Sequence, residues 1–391
     1  MHIVQICQRF FYGHGQEVLV YNLSRELARL GHKITILSSE EDSLGSFKKS
    51  LDFPVNVKIK TSKAVRLDYP PNQLLFPHLS QELLEMKNVD IIHAHGAMSF
   101  SSLVGLTMAK TKKIPFVFTP LFHPWRFFEQ RPYRYTREAY EAVFTAPLIK
   151  ESSAVIAISP FEKQYLVLRR NLPARKIHVI PSGINVNYYP SIVSRREVRK
   201  RLQIPEGKRY IITFGVITDA RKGLDRSLKI FDLINKKMPN THLLIVGWKY
   251  KENADALANL MDSLPCKNNI SPLGYVSEDE KIALIKMSDV LISSTTYEAF
   301  GIVLGEALIL ETPSVVTSVG GTPSIVKHGE TGFTVNNFNS INKFAQLSLR
   351  LLNNEKLRLG MAKRGQKLVK RYFTWHKIAK DVNRIYLRLT E

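Results

Sequence analysis

Two acidic side chains, Glu298 and Glu306, lie eight residues apart in the second half of the chain, on either side of Gly301. They follow an apolar run, 289–294, which predicts a buried strand. Acids at the carboxyl end of a strand in an open α/β sheet face the crevice in which ligands bind. Carboxylates accept hydrogen bonds, and the neighbouring hydroxyls of a sugar or a ribose donate them. The spacing therefore indicates a site for a hydroxyl-rich ligand.

A lysine at a turn indicates a site for phosphate in the same half of the chain. Gly215 ends a strand-like run, and Lys222 stands seven residues later, where a helix is expected to begin. A lysine in that place can hold a nucleotide diphosphate as a point charge. Gly320 and Gly321 precede another helix, so their amides are expected to face an anion at its N-terminus.

The first half contains a second glycine turn, at Gly13 and Gly15, between a strand and a helix. Its amides could also approach an anion. The dinucleotide fingerprint is disfavoured, however, because Val18 stands where its third glycine is required.

Three histidines follow predicted strands of the first half. His93 and His95 share one strand face, and no third metal ligand is obvious nearby, so we do not expect a metal site. His123 lies after the strand-like run 115–119, and the same strand-end position could bring it to a ligand.

Strand and helix patterns alternate along the chain, which predicts parallel sheets with helices on both faces. Strands are expected near 2–7, 33–38, 55–60, 89–92, 115–119, 153–158, 176–180, 209–215, 242–247, 270–274, 289–293 and 313–317. Helices are expected near 15–30, 73–86, 98–110, 135–150, 159–170, 223–237, 252–263, 278–287, 302–310, 321–328, 340–352 and 355–371. Two prolines and a glycine within 180–190 predict a linker between two domains.

The composition limits the partners. The chain has 391 residues, a net charge of +22 and two cysteines. So few cysteines argue against a disulfide framework, and the start reads as a buried strand rather than a signal peptide, so we expect a cytoplasmic protein. The charge predicts attraction to polyanions but no specific nucleic-acid binding, because no nucleic-acid-binding module is recognisable.

Aromatic and basic residues alternate in 125–137. That mixture suits a peripheral contact with the anionic inner face of a membrane, a lipid-linked acceptor or a single-stranded nucleic acid. An ordinary packed loop and helix face has the same composition.

The motif from Glu298 to Glu306, with Phe300, Gly301 and Ala307, resembles the donor-sugar motif of a large retaining glycosyltransferase family. That family, glycosyltransferase family 4-like, includes sucrose synthases and bacterial lipid mannosyltransferases. The resemblance extends over almost the whole chain and implies the GT-B fold, an α/β architecture of two Rossmann-like parallel-sheet domains that face a cleft. It implies an acceptor-side domain of 1–188 plus about 375–391 and a nucleotide-sugar domain of 189–374.

The resemblance also implies the role of each motif. Glu298, Lys222 and His123 would be catalytic. Donor binding would involve Lys222 with Gly215, Phe300, Gly301, Ile302, Glu306, Gly320 and Gly321. The acceptor or phosphate loop would involve Gly15, His93 and His95.

The expected reaction moves a hexosyl group from a nucleotide-diphosphate sugar to the hydroxyl of a glycan or lipid-linked acceptor. A UDP-sugar is favoured over a GDP-sugar as co-substrate, and neither a cofactor nor a metal is expected. Leu121 and Val216 stand where the family has a histidine and an arginine. The alternative is therefore a catalytically weak or inactive relative that binds nucleotide or a partner protein.

Overall fold

The computed structural model describes residues 1–10, 15–40, 52–67, 73–97, 99–122, 140–170, 173–186, 194–215, 219–247 and 251–391. The chain divides into two compact units. The first contains Met1–Gly183 and Trp375–Glu391, and the second contains Ile184–Thr374. The structure thus divides the chain after Gly183, whereas the sequence predicted the domain boundary after residue 188.

The first unit is built on a sheet of seven parallel strands in the order β3-β2-β1-β6-β7-β8-β9. A separate antiparallel pair is formed by β4 and β5. The strands are β1 His2–Cys7, β2 Lys33–Ser39, β3 Val57–Ser62, β4 Val65–Leu67, β5 Gln73–Leu75, β6 Ile91–His95, β7 Phe116–Thr119, β8 Ala154–Ala157 and β9 Ile177–Val179. The central strands are buried along nearly their whole length, as expected of a sheet covered by helices on both faces.

Within the described ranges, five α-helices of this unit precede the second unit in the chain. They are α1 Gly15–Arg29, α2 Leu79–Glu85, α3 Phe100–Lys112, α4 Ala146–Glu151 and α5 Pro160–Arg170. The strand order reverses between β1 and β6, because the chain adds β2 and β3 on one side of β1 before it returns to the other. The helix α1 follows β1 in the chain.

The second unit has six parallel strands in the order β12-β11-β10-β13-β14-β15. They are β10 Arg209–Phe214, β11 Thr241–Val246, β12 Ile270–Gly274, β13 Val290–Ser293, β14 Ser314–Thr317 and β15 Gly332–Val335. The helices are α6 Arg195–Arg201, α7 Leu224–Lys237, α8 Lys251–Asp262, α9 Glu278–Met287, α10 Ile302–Ile309, α11 Thr322–Ile325, α12 Ile341–Asn353 and α13 Glu355–Tyr372.

The last helix, α14 Trp375–Thr390, belongs to the first unit and packs against α1. Its buried residues recur every three or four positions, which gives one apolar stripe along the helix. They are Trp375, Ile378, Ala379, Val382, Ile385 and Tyr386. A hydrogen bond of 2.8 Å between His32 Nε2 and Asn383 Oδ1 joins α14 to the turn that follows α1.

Short elements account for the differences from the expected pattern. The segment 73–86 begins as β5 and is helical only from Leu79, and the expected helix 321–328 shortens to α11. In 135–150, the described part is a π-helical turn, Glu141–Thr145, followed by α4. The strand β15 was not expected, because four residues that begin with a glycine show no period. No helix within the described ranges is long and apolar enough to cross a bilayer.

Candidate active site

The strand order of the second sheet reverses between β10 and β13, because the chain adds β11 and β12 on one side of β10 before it returns to the other. In parallel α/β sheets, ligands bind outside the carboxyl ends of the strands at such a reversal. The loops after β10, β13 and β14 leave the sheet at this edge. The residues predicted to bind the donor lie on these loops or in α10, and Val216 lies outside the described residues.

The loop after β10 ends in a 3-10 turn, Ala220–Lys222, which an aspartate caps. The Asp219 carboxylate accepts a hydrogen bond from the Arg221 amide at 3.1 Å and two from its guanidinium, at 2.9 and 2.7 Å. The Arg221 side chain is thus engaged by Asp219 within the turn, and Lys222 is the last residue of that turn. A Cβ at Gly215 would lie only 3.3 Å from Lys222 Cβ, so the glycine leaves room for the lysine.

The loop after β13 fixes that turn through buried polar groups. The Thr295 hydroxyl and the Thr296 amide each donate to the Arg221 carbonyl at 2.8 Å. The Ser294 hydroxyl donates to the Gly223 carbonyl, also at 2.8 Å. Ser294 and Thr295 are fully buried, so water does not compete for these bonds. The backbone on both sides of Lys222 is therefore held by the neighbouring loop.

Lys222 and Glu298 form an ion pair at this edge of the sheet. The distance from Lys222 Nζ to Glu298 Oε2 is 2.9 Å, and the side chains are 36% and 23% exposed. Both groups can therefore meet a ligand that arrives from solvent. An ammonium group can hold a diphosphate, and a carboxylate can accept hydrogen bonds from hydroxyls. The fold thus places in contact two chemical groups that the sequence assigned to separate motifs.

The loop after β14 packs directly on the backbone of the Glu298 loop. Gly320 has φ +55°, and any side chain at Gly320 or Gly321 would overlap the carbonyl of Glu298 or Ala299. The Gly321 amide donates to the Glu298 carbonyl at 2.8 Å. The expectation that this amide faces an anion is therefore wrong, because a neighbouring loop already supplies its acceptor. The Gly320 amide has no hydrogen-bond partner among the described residues and stays a candidate.

Glu306 is almost completely buried in α10, and it pairs with Lys281, which was not among the predicted site residues. Its Oε1 lies 2.9 Å from Lys281 Nζ, which also lies 2.7 Å from Glu278. Burial by itself would lower the pKa of Lys281, but Glu306 and Glu278 more than offset it, so the pKa of Lys281 is raised. The Glu278-x-x-Lys281 spacing on a helix was the one local signal of this arrangement.

Phe300 and Gly301 shape the loop that follows Glu298. Phe300 is buried, and its ring lies 5.7 Å from that of Phe373. Gly301 has φ +96° and precedes α10, which begins at Ile302. A donor could therefore meet the backbone at Gly301 and Ile302, but not the ring of Phe300.

The two strand histidines of the first unit are buried, which contradicts the expectation that they belong to the acceptor or phosphate loop. His93 and His95 are fully buried, because α14 covers this face of β6. His93 bonds to Tyr386 of α14 at 2.6 Å, and His95 bonds to Gln5 of β1 at 2.6 Å. Burial lowers the pKa of His95 to about 3. The pKa of His93 lies well below its usual range, mainly because the ring is buried and also because His95 is next to it. Both imidazoles are therefore neutral and structural.

Of the other predicted residues of this unit, Gly15 lies within the described ranges. Gly15 begins α1, and Gln16 beside it donates to the His95 carbonyl at 3.2 Å. His123 and the aromatic-basic stretch 125–137 lie outside the described residues. Leu121, two residues before His123, has φ +51°, which is uncommon for a branched side chain.

Comparison with known proteins assigns a family to each half of the chain. The model described as Glycosyl transferases group 1 matches residues 194–368, and the model described as Glycosyltransferase Family 4 matches residues 13–188. Mannosylfructose-phosphate synthase of Agrobacterium fabrum is 23% identical, over 94% of this chain and 85% of that protein.

Solved structures share the fold at low identity. Sucrose-phosphate synthase from Thermosynechococcus elongatus matches with a TM-score of 0.79 at 20% identity, over 99% of this chain and 98% of that one. Anabaena HepE in complex with UDP and glucose matches with a TM-score of 0.77 at 18% identity, over 98% of each chain. The two Rossmann-like, parallel-sheet units are therefore those of the GT-B fold.

Proposed function

Because the chain belongs to the glycosyltransferases, with a family 4 region followed by a group 1 region, we propose that it moves a hexosyl group from a nucleotide-diphosphate sugar to an acceptor hydroxyl. The observation that carries the proposal is the ion pair of Lys222 and Glu298 at the strand reversal of the second sheet. It joins a cation for the diphosphate and a carboxylate for the sugar hydroxyls where α/β sheets bind ligands.

In the proposed reaction, Lys222 stabilises the charge that develops as the diphosphate leaves. Glu298 accepts hydrogen bonds from the sugar, and its position is fixed by the bond between its carbonyl and the Gly321 amide. The acceptor hydroxyl attacks on the face that the diphosphate leaves, so the configuration is retained. The positive charge comes from the protein, and the proposal includes no divalent metal.

Glu306 would accept the ribose hydroxyls in this scheme. Its Oε1 is already engaged by Lys281, so the ribose would join an existing pair rather than meet a free carboxylate. Hydrogen bonds to an ionised carboxylate are shorter and stronger than those between neutral groups, so a carboxylate in this place would suit the ribose hydroxyls.

For the donor, we propose a UDP-sugar in preference to a GDP-sugar. The support is the likeness to HepE, whose solved structure contains UDP and glucose. For the acceptor, we propose a glycan or a lipid-linked glycan. The alternative of a weak or inactive relative draws on Leu121, which stands where the family has a histidine.

A thermal-shift screen with UDP, GDP, ADP and their sugars tests the proposal. A ligand that binds only the native state stabilises it by about 2.7 kcal/mol at a concentration of 100 Kd. For a unit of this size that corresponds to a rise of roughly 5–10 °C in Tm.

The matched variants are Lys222→Met and Lys237→Met. Lys237 is an exposed lysine of α7 in the same unit, so both variants lose one positive charge. We expect the UDP response to shrink in Lys222→Met and to persist in Lys237→Met. A UDP response of equal size in both variants would show that Lys222 does not bind the diphosphate. UDP binding without turnover of any UDP-sugar would favour the inactive relative.

A further inference from the structure

A pocket of the second unit lies at the amino edge of its sheet. It encloses about 440 Å³ and is lined by Arg195, Arg196, Arg199, Tyr210 and Met287. The arginines come from α6, Tyr210 is the second residue of β10 and Met287 is the last residue of α9. Small-molecule sites occupy about 300–1,000 Å³, so this pocket has room for more than an ion.

The pocket is far from the ion pair of Lys222 and Glu298. Tyr210 lies near the start of β10, and Gly215 follows the end of that strand. Six residues of strand span about 20 Å. The pocket therefore opens at the edge of the sheet opposite to the proposed donor site.

Of the acidic groups near α6, one pairs with an arginine of the pocket and the others are engaged outside it. Glu206 pairs with Arg199. Glu197 accepts from the Ser194 amide and caps α6, and Glu280 pairs with Arg201. Arg195 and Arg196 are exposed, and neither forms an ion pair within the described ranges. Two full positive charges thus remain at the rim.

Arg199 is only partly satisfied by its own partner. One of its terminal nitrogens lies 3.2 Å from Glu206, whose side chain is 72% exposed, and exposed pairs are weak. The Arg199 Nε has no hydrogen-bond partner among the described residues. The guanidinium therefore keeps donors that an anionic ligand could take.

We propose that this pocket binds the phosphate group of a phosphorylated small molecule or of an anionic lipid headgroup. A planar guanidinium group donates two parallel hydrogen bonds to phosphate oxygens. A lysine ammonium, or a guanidinium already paired with a carboxylate, fits phosphate less well. Tyr210 and Met287 give the same pocket an apolar wall for the organic part of the ligand.

Calorimetric titration with inorganic pyrophosphate tests the site in the full-length chain. The test variant is Arg195→Gln with Arg196→Gln, and the matched control is Lys363→Gln with Lys367→Gln. The control residues are exposed on α13 of the same unit, so both variants lose two positive charges. We expect affinity to fall at least tenfold in the test variant and to stay within twofold in the control.

Two results would overturn the proposal. Equal losses in the two variants would show only general attraction to a basic surface. Binding that survives in the arginine variant and disappears in Lys222→Met would place pyrophosphate at the proposed donor site. UDP affinity, measured in parallel, should stay within twofold in the arginine variant, so failure of the donor assignment and failure of this pocket are distinguishable.

Vesicle sedimentation separates the two sources of phosphate. Vesicles of phosphatidylcholine with phosphatidylglycerol are compared with phosphatidylcholine alone at about 0.15 M salt, where exposed charges are screened beyond about 8 Å. Arginine-dependent sedimentation with the anionic vesicles supports a lipid headgroup. Arginine-dependent binding of pyrophosphate without sedimentation supports a soluble phosphorylated ligand. Absence of both overturns the site.

Discussion

Replacement of Gly320 by alanine should impair transfer by displacing Glu298, although position 320 contacts only the backbone of that residue. An added Cβ would lie 2.0 Å from the Glu298 carbonyl oxygen and 3.2 Å from the Tyr297 ring. Ordinary contacts between carbon and oxygen are about 3.3 Å or longer. The carbonyl must therefore retreat by about 1.3 Å or the Gly320 loop must move by the same amount.

The expected loss of turnover follows from that displacement. A misplacement of about 1 Å of a group that positions substrate can cost on the order of a hundredfold in rate. The same substitution carries a backbone cost, because φ at Gly320 is +55°. For a residue with a Cβ that cost is about 1–2 kcal/mol, or roughly 2–8 °C in Tm for a unit of this size.

Gly329→Ala is the matched control. Gly329 belongs to the same unit and has φ +77°, but an added Cβ would meet nothing within 4 Å. Both variants therefore carry the backbone cost, and only Gly320→Ala adds the clash with Glu298. The assay is release of UDP from the UDP-sugar that the thermal-shift screen selects, at a temperature well below both melting transitions.

We expect Gly329→Ala to retain turnover within about threefold of the wild type and Gly320→Ala to lose on the order of a hundredfold. Equal turnover in the two variants would show that the backbone position of Glu298 does not matter for the reaction.

Three further perturbations test other parts of the site and the core. Lys222→Met should lower turnover on the order of a hundredfold. It should shift Tm by only a few degrees, because the ion pair with Glu298 is partly exposed. A loss of stability as large as the loss of activity would count against a catalytic role. Glu306→Ala should weaken UDP binding roughly tenfold. It should also destabilise the unit, because Lys281 loses one of its two carboxylates. Calorimetry measures the affinity and thermal melting the stability, and wild-type values of both would contradict the assignment. The pKa of His95 is lowered to about 3, so below the ordinary value of 6.5 the unfolded chain takes up a proton that the native state does not. This contribution to stability is complete above pH 6.5 and is lost as the pH falls, by about 1.4 kcal/mol per pH unit. Urea unfolding between pH 5 and 7 measures it, and an unchanged slope in His95→Gln would contradict the assignment.

Elements with a strong period could be predicted from the sequence, whereas contacts between distant segments could not. The strands β10 and β13 and the helix α7 follow from apolar runs and helix periodicity, because the residues that define them are adjacent. The burial of His93 could not be foreseen, since the helix that covers it carries Tyr386, which is 293 residues away. Two histidines at the end of a strand have the same local pattern whether solvent or a helix covers them.

The Gly321 amide shows the same limit at shorter range. A glycine pair before a helix indicates free amides, but it does not indicate that the Glu298 carbonyl will approach one of them. The ion pair between Lys222 and Glu298 could be predicted only in part. Each residue was singled out by its own motif, yet their contact depends on the strand order that makes β10 and β13 neighbours.

The way in which Glu298 is held indicates what must change when a donor binds. Its backbone is fixed through the Gly321 amide, and the loop before it is fixed through Thr295 and Thr296 to the Arg221 carbonyl. The side-chain contact with Lys222 is different, because both partners are partly exposed. A pair of this kind contributes no more than about 1 kcal/mol. A diphosphate that draws Lys222 away from Glu298 therefore gives up little, and it leaves the carboxylate oriented by its backbone and free to accept the sugar hydroxyls. We infer that the ion pair is the resting arrangement of the site, in which each group keeps the other in place until the donor separates them.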